Sequence, residues 1–213
     1  MRIVAILMLF CAVSGRAVVL DRIAVVVGKH VIKTSDVERD IRVTDFLNQE
    51  PLNFSKQARR QAAERLVDQS VIRNEVATGG YSRATDSDAE ALWNQILHQR
   101  FGGVKTRMIA ELQRYGLTED QLREQLLWQL TVLKFIQQRF QPGVVVSDDD
   151  IHTYYNQHLA ELRRQYPRDS SFDTLEPKIR AELEGEAVNR DFEAWLPQAR
   201  KRATVDFHEE AFQ

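Results

Sequence analysis

Apolar positions along the chain fall into two rhythms. Ile23 to Val27 is a β-branched run, and His30-Val31-Ile32 resumes it after Gly28-Lys29. A two-residue loop that opens on glycine predicts a hairpin with a type II′ turn. An isolated hairpin is marginal in water, so this one needs a third strand or a covering helix. The spacing then becomes helical and predicts helices over 36–48, 56–78, 88–101, 105–115, 119–140, 148–165 and 175–200. Ser35 with Glu38, Ser87 with Glu90, and Thr118 with Gln121 fit capping boxes. Ser147 with Asp150 repeats the spacing with a shorter acid. Gly79-Gly80, Gly102-Gly103 and Gly116 fall just past helix ends, where a left-handed residue is favourable. Pro142-Gly143 stops the 119–140 helix. Ala203 to Phe207 alternates and predicts a terminal strand, whose expected partner is the unsupported hairpin. The fold class expected is mainly α, a multi-helix core with a small antiparallel β element formed by the N-terminal hairpin and a C-terminal strand.

The 119–140 helix carries two apolar stripes. Leu122, Leu126, Leu133, Ile136 and Phe140 share one face, and Trp128, Val132 and Phe135 lie roughly opposite. A simple surface helix has one stripe. Two stripes mean a helix sandwiched between layers, or a face left for a ligand; the sandwich is the commoner arrangement. The 175–200 helix behaves alike. Ile179, Leu183 and Ala187 begin one stripe, and Val188, Phe192, Trp195 and Ala199 form another, so it should pack on an earlier part of the chain with Trp195 as anchor.

Residues 1–17 carry the pattern of a secretory signal peptide. Arg2 gives a positive start, Ile3 to Val13 is apolar, and Gly15 and Ala17 are small residues at the -3 and -1 positions of a cleavage site. The run is too short for a membrane-spanning helix. Cleavage there would take Cys11, the one cysteine, which suits an oxidising compartment. It would also take Arg2 and Arg16 from the 29 basic residues and leave all 31 acidic ones, moving the net charge from -2 to -4. That balance argues against a general nucleic-acid binder. No later run is apolar enough for stable membrane insertion.

Candidate chemistry is sparse. His30, His98, His152, His158 and His208 form no H-x-x-x-H or H-E-x-x-H pair, so no metal is expected. Asp148-Asp149-Asp150 lacks the spaced ligands and glycine of a calcium loop and fits the first turn of a helix. The phosphate-binding and dinucleotide-binding glycine patterns and the G-x-S-x-G elbow are absent from the sequence. No cofactor and no catalytic residue are assigned, and the expectation is a protein that is not an enzyme.

The order of the segments resembles that of the SurA-type periplasmic chaperones. Asp21-Arg-Ile-Ala-Val-Val-Val-Gly-Lys-His-Val-Ile-Lys-Thr-Ser-Asp-Val-Glu38 is similar to that family's opening hairpin and first helix. Ala63 to Ile72, Leu117 to Leu126 and Val146 to Tyr155 resemble its next three signatures, in order. Phe172 to Phe207 resembles its C-terminal helix and strand, which in the family pack back on the N-terminal domain. The resemblance implies a signal peptide over 1–17, an N-terminal helical chaperone domain over 18–165 and a returning C-terminal part over 172–213.

One departure is large. Family members carry one or two parvulin-type prolyl isomerase domains between these two parts. Here about ten residues separate the 148–165 helix from the next, against roughly a hundred for such a domain. The resemblance therefore implies an ATP-independent periplasmic holdase without isomerase activity, whose partners are unfolded secreted or outer-membrane polypeptides. Its expected groove contacts are Met108, Trp128 and Phe135, the last two because they form the second stripe. Two other readings stay open: a dedicated envelope adaptor for one specific partner protein, and a prolyl isomerase with an unusual site.

Overall fold

Gly28 turns the chain at φ +57°, and Gln49 is the one non-glycine residue with positive φ among those described. Lys29 therefore has negative φ, as a type II′ turn requires. The turn joins β1 (Ile23–Val27) to β2 (His30–Lys33), with Val27 facing His30. β1 also pairs antiparallel with β3 (Val205–Phe207), placing Val25 opposite Phe207 and Val27 opposite Val205. The order is β2-β1-β3, so the strand nearest the N-terminus lies between the other two. Gly28 N–H to Thr204 O (2.8 Å) and His208 N–H to Ala24 O (2.9 Å) extend the second ladder at both ends. The hairpin thus receives its third strand from the far end of the chain.

The computed structural model describes residues 21–213. The leader expected over 1–17 lies outside the described residues. Seven helices follow the hairpin: α1 (Thr34–Asn48), α2 (Lys56–Thr78), α3 (Asp86–Phe101), α4 (Lys105–Arg114), α5 (Glu119–Phe140), α6 (Asp148–Gln165) and α7 (Phe172–Lys201). A 3-10 turn over Gln141–Gly143 ends α5 at the Pro-Gly pair. Another over Glu209–Phe212 carries the buried Phe212 into the core beneath the sheet.

Two of the four expected capping boxes are present. Thr118 accepts from Gln121 N–H (3.2 Å) and Ser147 from Asp150 N–H (3.1 Å), each with the return bond. The other two differ. Ser35 donates its hydroxyl to Asp21 (2.5 Å), which also accepts from Ser35 N–H (3.1 Å) and Thr34 Oγ1 (2.9 Å). These bonds hold the Asp21 carboxyl below the usual carboxylate range. Asp21 so ties the root of the hairpin to the start of α1, and Lys33 N–H takes Asp36 as its acceptor (3.0 Å). On α3 the box is Thr85 with Asp88, two residues before the expected pair. α7 starts at Phe172 rather than 175. Asp169 accepts from Ser171 N–H (3.0 Å), Ser171 Oγ (2.7 Å) and Thr174 Oγ1 (2.7 Å) and fixes the turn there.

Four apolar clusters organise the packing. The first joins the sheet to α1, α2 and Phe212 through Val25, Ile41, Ala63 and Val67. The second gathers Phe46, Trp93, Met108, Leu112, Leu122 and Leu126 from α1, α3, α4 and α5. The third lies where the C-terminal halves of α2, α5 and α7 meet, around Phe135. The fourth belongs to α6 and the first half of α7, around Ile151, Leu162, Leu175 and Ile179. α7 has 30 residues, a span of about 45 Å at 1.5 Å per residue, and so takes part in both of the last two. Arg200 near its end bonds Glu64 and Asp68 of α2 and locks the returning helix to the body.

α5 is sandwiched, with its two ends serving different layers. Leu122 and Leu126 enter the second cluster; Trp128, Val132, Phe135, Ile136 and Phe140 enter the third. Leu133 shares a stripe with Leu122 by spacing, yet is 55% exposed. The start of α3 lies beside Thr131 and Lys134, through Ala84 N–H to Thr131 Oγ1 (3.2 Å) and Lys134 Nζ to Asp88 (2.7 Å). Leu133, between these two contacts, belongs to neither the second nor the third cluster.

Candidate functional site

α2 and α5 both line a groove of about 470 Å³. Each helix lines it with one face. α2 supplies Arg73, Asn74, Val76 and Ala77, and α5 supplies Glu124, Leu127, Trp128 and Thr131. The α5 residues stand at i, i+3, i+4 and i+7, and on α2 Val76 and Ala77 follow Arg73 at i+3 and i+4, spacings that share a helix face. Arg83 of the α2–α3 connection and His30 at the hairpin turn complete the rim.

The floor is apolar and firmly held. Trp128 is 8% exposed, and its ring carries the Arg73 guanidinium 3.8 Å from its centroid. Such a cation–π contact contributes about 0.5–2 kcal/mol and fixes the plane of the guanidinium. Thr131 donates to Leu127 O (2.8 Å) and accepts from Ala84 N–H, so its hydroxyl is already used for structure. Burial pushes the Arg73 guanidinium below its ordinary value; Glu124 opposes this and Arg39 adds to it. The groove thus combines an indole edge, two aliphatic walls and a cation with its polar edge uncovered. It has binding character, with no paired acid and base placed for proton transfer.

Of the three expected groove contacts, Trp128 lines this groove. Phe135 lies two turns further along α5 with no exposed surface, packed among Tyr81 (4.9 Å), Trp195 (5.5 Å) and Phe140 (6.1 Å). Arg139 closes that cluster by bonding Glu75 (2.6 Å) and Tyr81 Oη (2.7 Å). Met108 is also without exposed surface and belongs to the second cluster, away from the other two. Both are core side chains, and neither offers surface to a ligand in this structure. Trp195 is the anchor of α7, as its spacing predicts.

Arg73 and Leu127 did not stand out from spacing, yet a signal for Arg73 was there. Its helical neighbours at three and four residues are Gln69, Ser70, Val76 and Ala77. No acid on its own helix can pair with it, unlike Arg60, which meets Glu64 at 3.0 Å. The other chemistry-bearing residues are structural. Asp148 pairs with Arg180 (2.7 Å), and Asp150 caps α6. His152 stacks on Phe172 at 4.0 Å, and His158 Nδ1 lies 3.0 Å from Tyr154 O. Among the described residues, no three His, Cys, Asp or Glu side chains cluster as metal ligands, and no helix is long and apolar enough to cross a membrane.

Comparison with known proteins adds no identity: no family model matches the chain, and no curated protein matches it.

Proposed function

We propose that this protein is an ATP-independent periplasmic chaperone, a holdase that binds unfolded secreted or outer-membrane polypeptides in the α2–α5 groove. The observation that carries the reading is the groove itself, an open cleft lined by α2 and α5 in which Val76, Ala77, Leu127 and an edge of Trp128 form the apolar part. An extended peptide gains affinity there by covering the indole edge and the aliphatic walls, and leaves without energy input because the groove is open. The SurA-like segments support the reading, since they fall in chain order on the hairpin and α1, on α2, on α5 and on α6. α6 runs into α7 through residues 166–171 alone, which supports a chaperone core that works without an isomerase domain.

The test is a dilution experiment. A urea-denatured outer-membrane β-barrel protein is diluted into buffer with the chain from Val18 onward, and light scattering is followed against an inert control. Suppression of aggregation near an equimolar ratio is expected. No suppression by a chain that is folded by circular dichroism would overturn the holdase and favour an adaptor for one specific partner. Proline isomerisation of a peptide should run no faster than in buffer.

A further inference from the structure

The rim of the groove is not electrically neutral. Arg73, Arg83 and His30 line it, against the single carboxylate of Glu124. Neither Arg73 nor Arg83 makes a salt bridge or a side-chain hydrogen bond among the described residues. Other arginines beside the same helix pair are neutralised: Arg139 by Glu75, and Arg123 by Glu90. The stacking on Trp128 covers one face of the Arg73 guanidinium and leaves its in-plane N–H donors free. Val76, Ala77 and Leu127 supply apolar wall beside those donors.

We infer that the groove selects acidic–apolar peptide segments: a client carboxylate bonds the edges of the Arg73 and Arg83 guanidiniums while its aliphatic or aromatic neighbour covers Leu127, Val76 and the Trp128 edge. The occupant is a polypeptide by the client-binding reading, and the lining offers such a segment both charged and apolar walls. Its charge sign follows from the lining, where two guanidiniums, Arg73 and Arg83, face the single carboxylate of Glu124. Charge-assisted bonds to a guanidinium are about twice as strong as neutral ones, so the acidic residue sets the preference and the apolar residue the register. This rests on the client-binding reading above and adds to it which segments of a client are held.

The test uses three short fluorescent peptides of one apolar sequence that differ at a central Glu, Gln or Lys. Anisotropy titrations at low salt should show the Glu peptide binding about tenfold tighter than the Gln peptide, with the Lys peptide weakest. The advantage should shrink at high salt. In the Arg73→Gln/Arg83→Gln double variant, folded by circular dichroism, the Glu and Gln peptides should bind alike. Equal binding of Glu and Gln peptides to the wild type would overturn the charge preference and leave a purely apolar groove. A Glu preference that survives in the double variant would overturn this site. If none of the peptides binds while aggregation is still suppressed, the inference fails and the holdase stands on another surface. If both fail, the client-binding reading fails too.

Discussion

The body of the molecule and the arm formed by α6 with the first half of α7 are built on different kinds of core. In the body, three clusters adjoin along α1, α2 and α5, and large side chains such as Phe46, Trp93, Phe135 and Phe212 are fully enclosed. In the arm, one cluster of four buried aliphatic residues is closed at its margin by rings: Tyr154, Tyr155, Tyr166 and Phe172. The arm's bonds are mostly its own, as when Arg180 reaches Val146 O (3.1 Å) and Asp148, or Tyr155 Oη donates to Ser170 O (2.8 Å). The body is therefore a fixed scaffold that holds the groove, and the arm is a separate unit that opens at lower cost. Only α7 belongs to both.

The sharpest way to break that contrast is to cut one core at a time. Phe135→Ala should cost about 3–5 kcal/mol, because a large cavity opens among rings that cannot collapse. It should lower the denaturation midpoint of the whole protein. Leu175→Ala should cost about 2–3 kcal/mol, mostly confined to the arm. Hydrogen exchange should then accelerate at α6 amides while α2 amides stay protected. Equal acceleration in both would show that body and arm unfold together.

A smaller effect tests the polar framework of the body. Asp40 on α1 is buried, and Arg65 of α2 bonds it twice (2.6 and 3.0 Å). Burial pushes the Asp40 carboxyl up, and the charge and hydrogen bonds of Arg65 hold it back. Arg65→Met should cost about 1–2 kcal/mol at neutral pH, less than a fully buried pair because Arg65 itself is partly exposed. It should also raise the Asp40 titration further. A raised carboxyl favours the fold below its unfolded value and loses that contribution as pH rises through its folded one. The deficit should therefore be greatest near neutral pH and shrink on acidification, as paired urea titrations can show.

The smallest effect is electrostatic and local. The bond from Lys134 is the main reason the Asp88 carboxyl lies down at about 2, with the N–H and hydroxyl of Thr85 adding to it. A lowered carboxyl contributes to the fold above its ordinary value and loses that contribution as pH falls through about 2. Lys134→Met should raise the Asp88 midpoint measured by carbon-detected NMR while leaving the arm's capping residue Asp169, also at about 2, unmoved. A shift at Asp169 would mean that charges in body and arm are coupled.

The sequence was most legible where structure is local. Gly28 specifies its turn alone, and Thr118–Gln121 and Ser147–Asp150 cap helices within four residues. It was least legible where a distant group competes. Ser35 has the spacing to cap α1 with Glu38, but Asp21, fourteen residues earlier, takes its hydroxyl once the hairpin folds back. Helical spacing placed the start of α7 at 175. Phe172 joins the arm by packing on His152 and Tyr155 (5.3 Å), and the helix starts a turn earlier. The site followed the same rule. The second stripe of α5 marked both Trp128 and Phe135, but periodicity cannot tell a face filled by Tyr81 and Trp195 from one left open. Arg73 could have been read from its missing helical partners, whereas the place of Arg83 across the groove depends on how the α2–α3 connection folds.

The three tryptophans allow the most direct test of where a client sits. Trp93 lies in the second cluster; Trp128 and Trp195 share the third, but only Trp128 also lines the groove. Their indole N–H signals can be followed in a 15N spectrum while an apolar peptide from an outer-membrane protein is added. The account predicts that the Trp128 signal moves with the α2 amides around Arg73, while Trp93 and Trp195 stay in place. Movement of Trp195 and of α6 amides with Trp128 unmoved would contradict it and place the client on the arm.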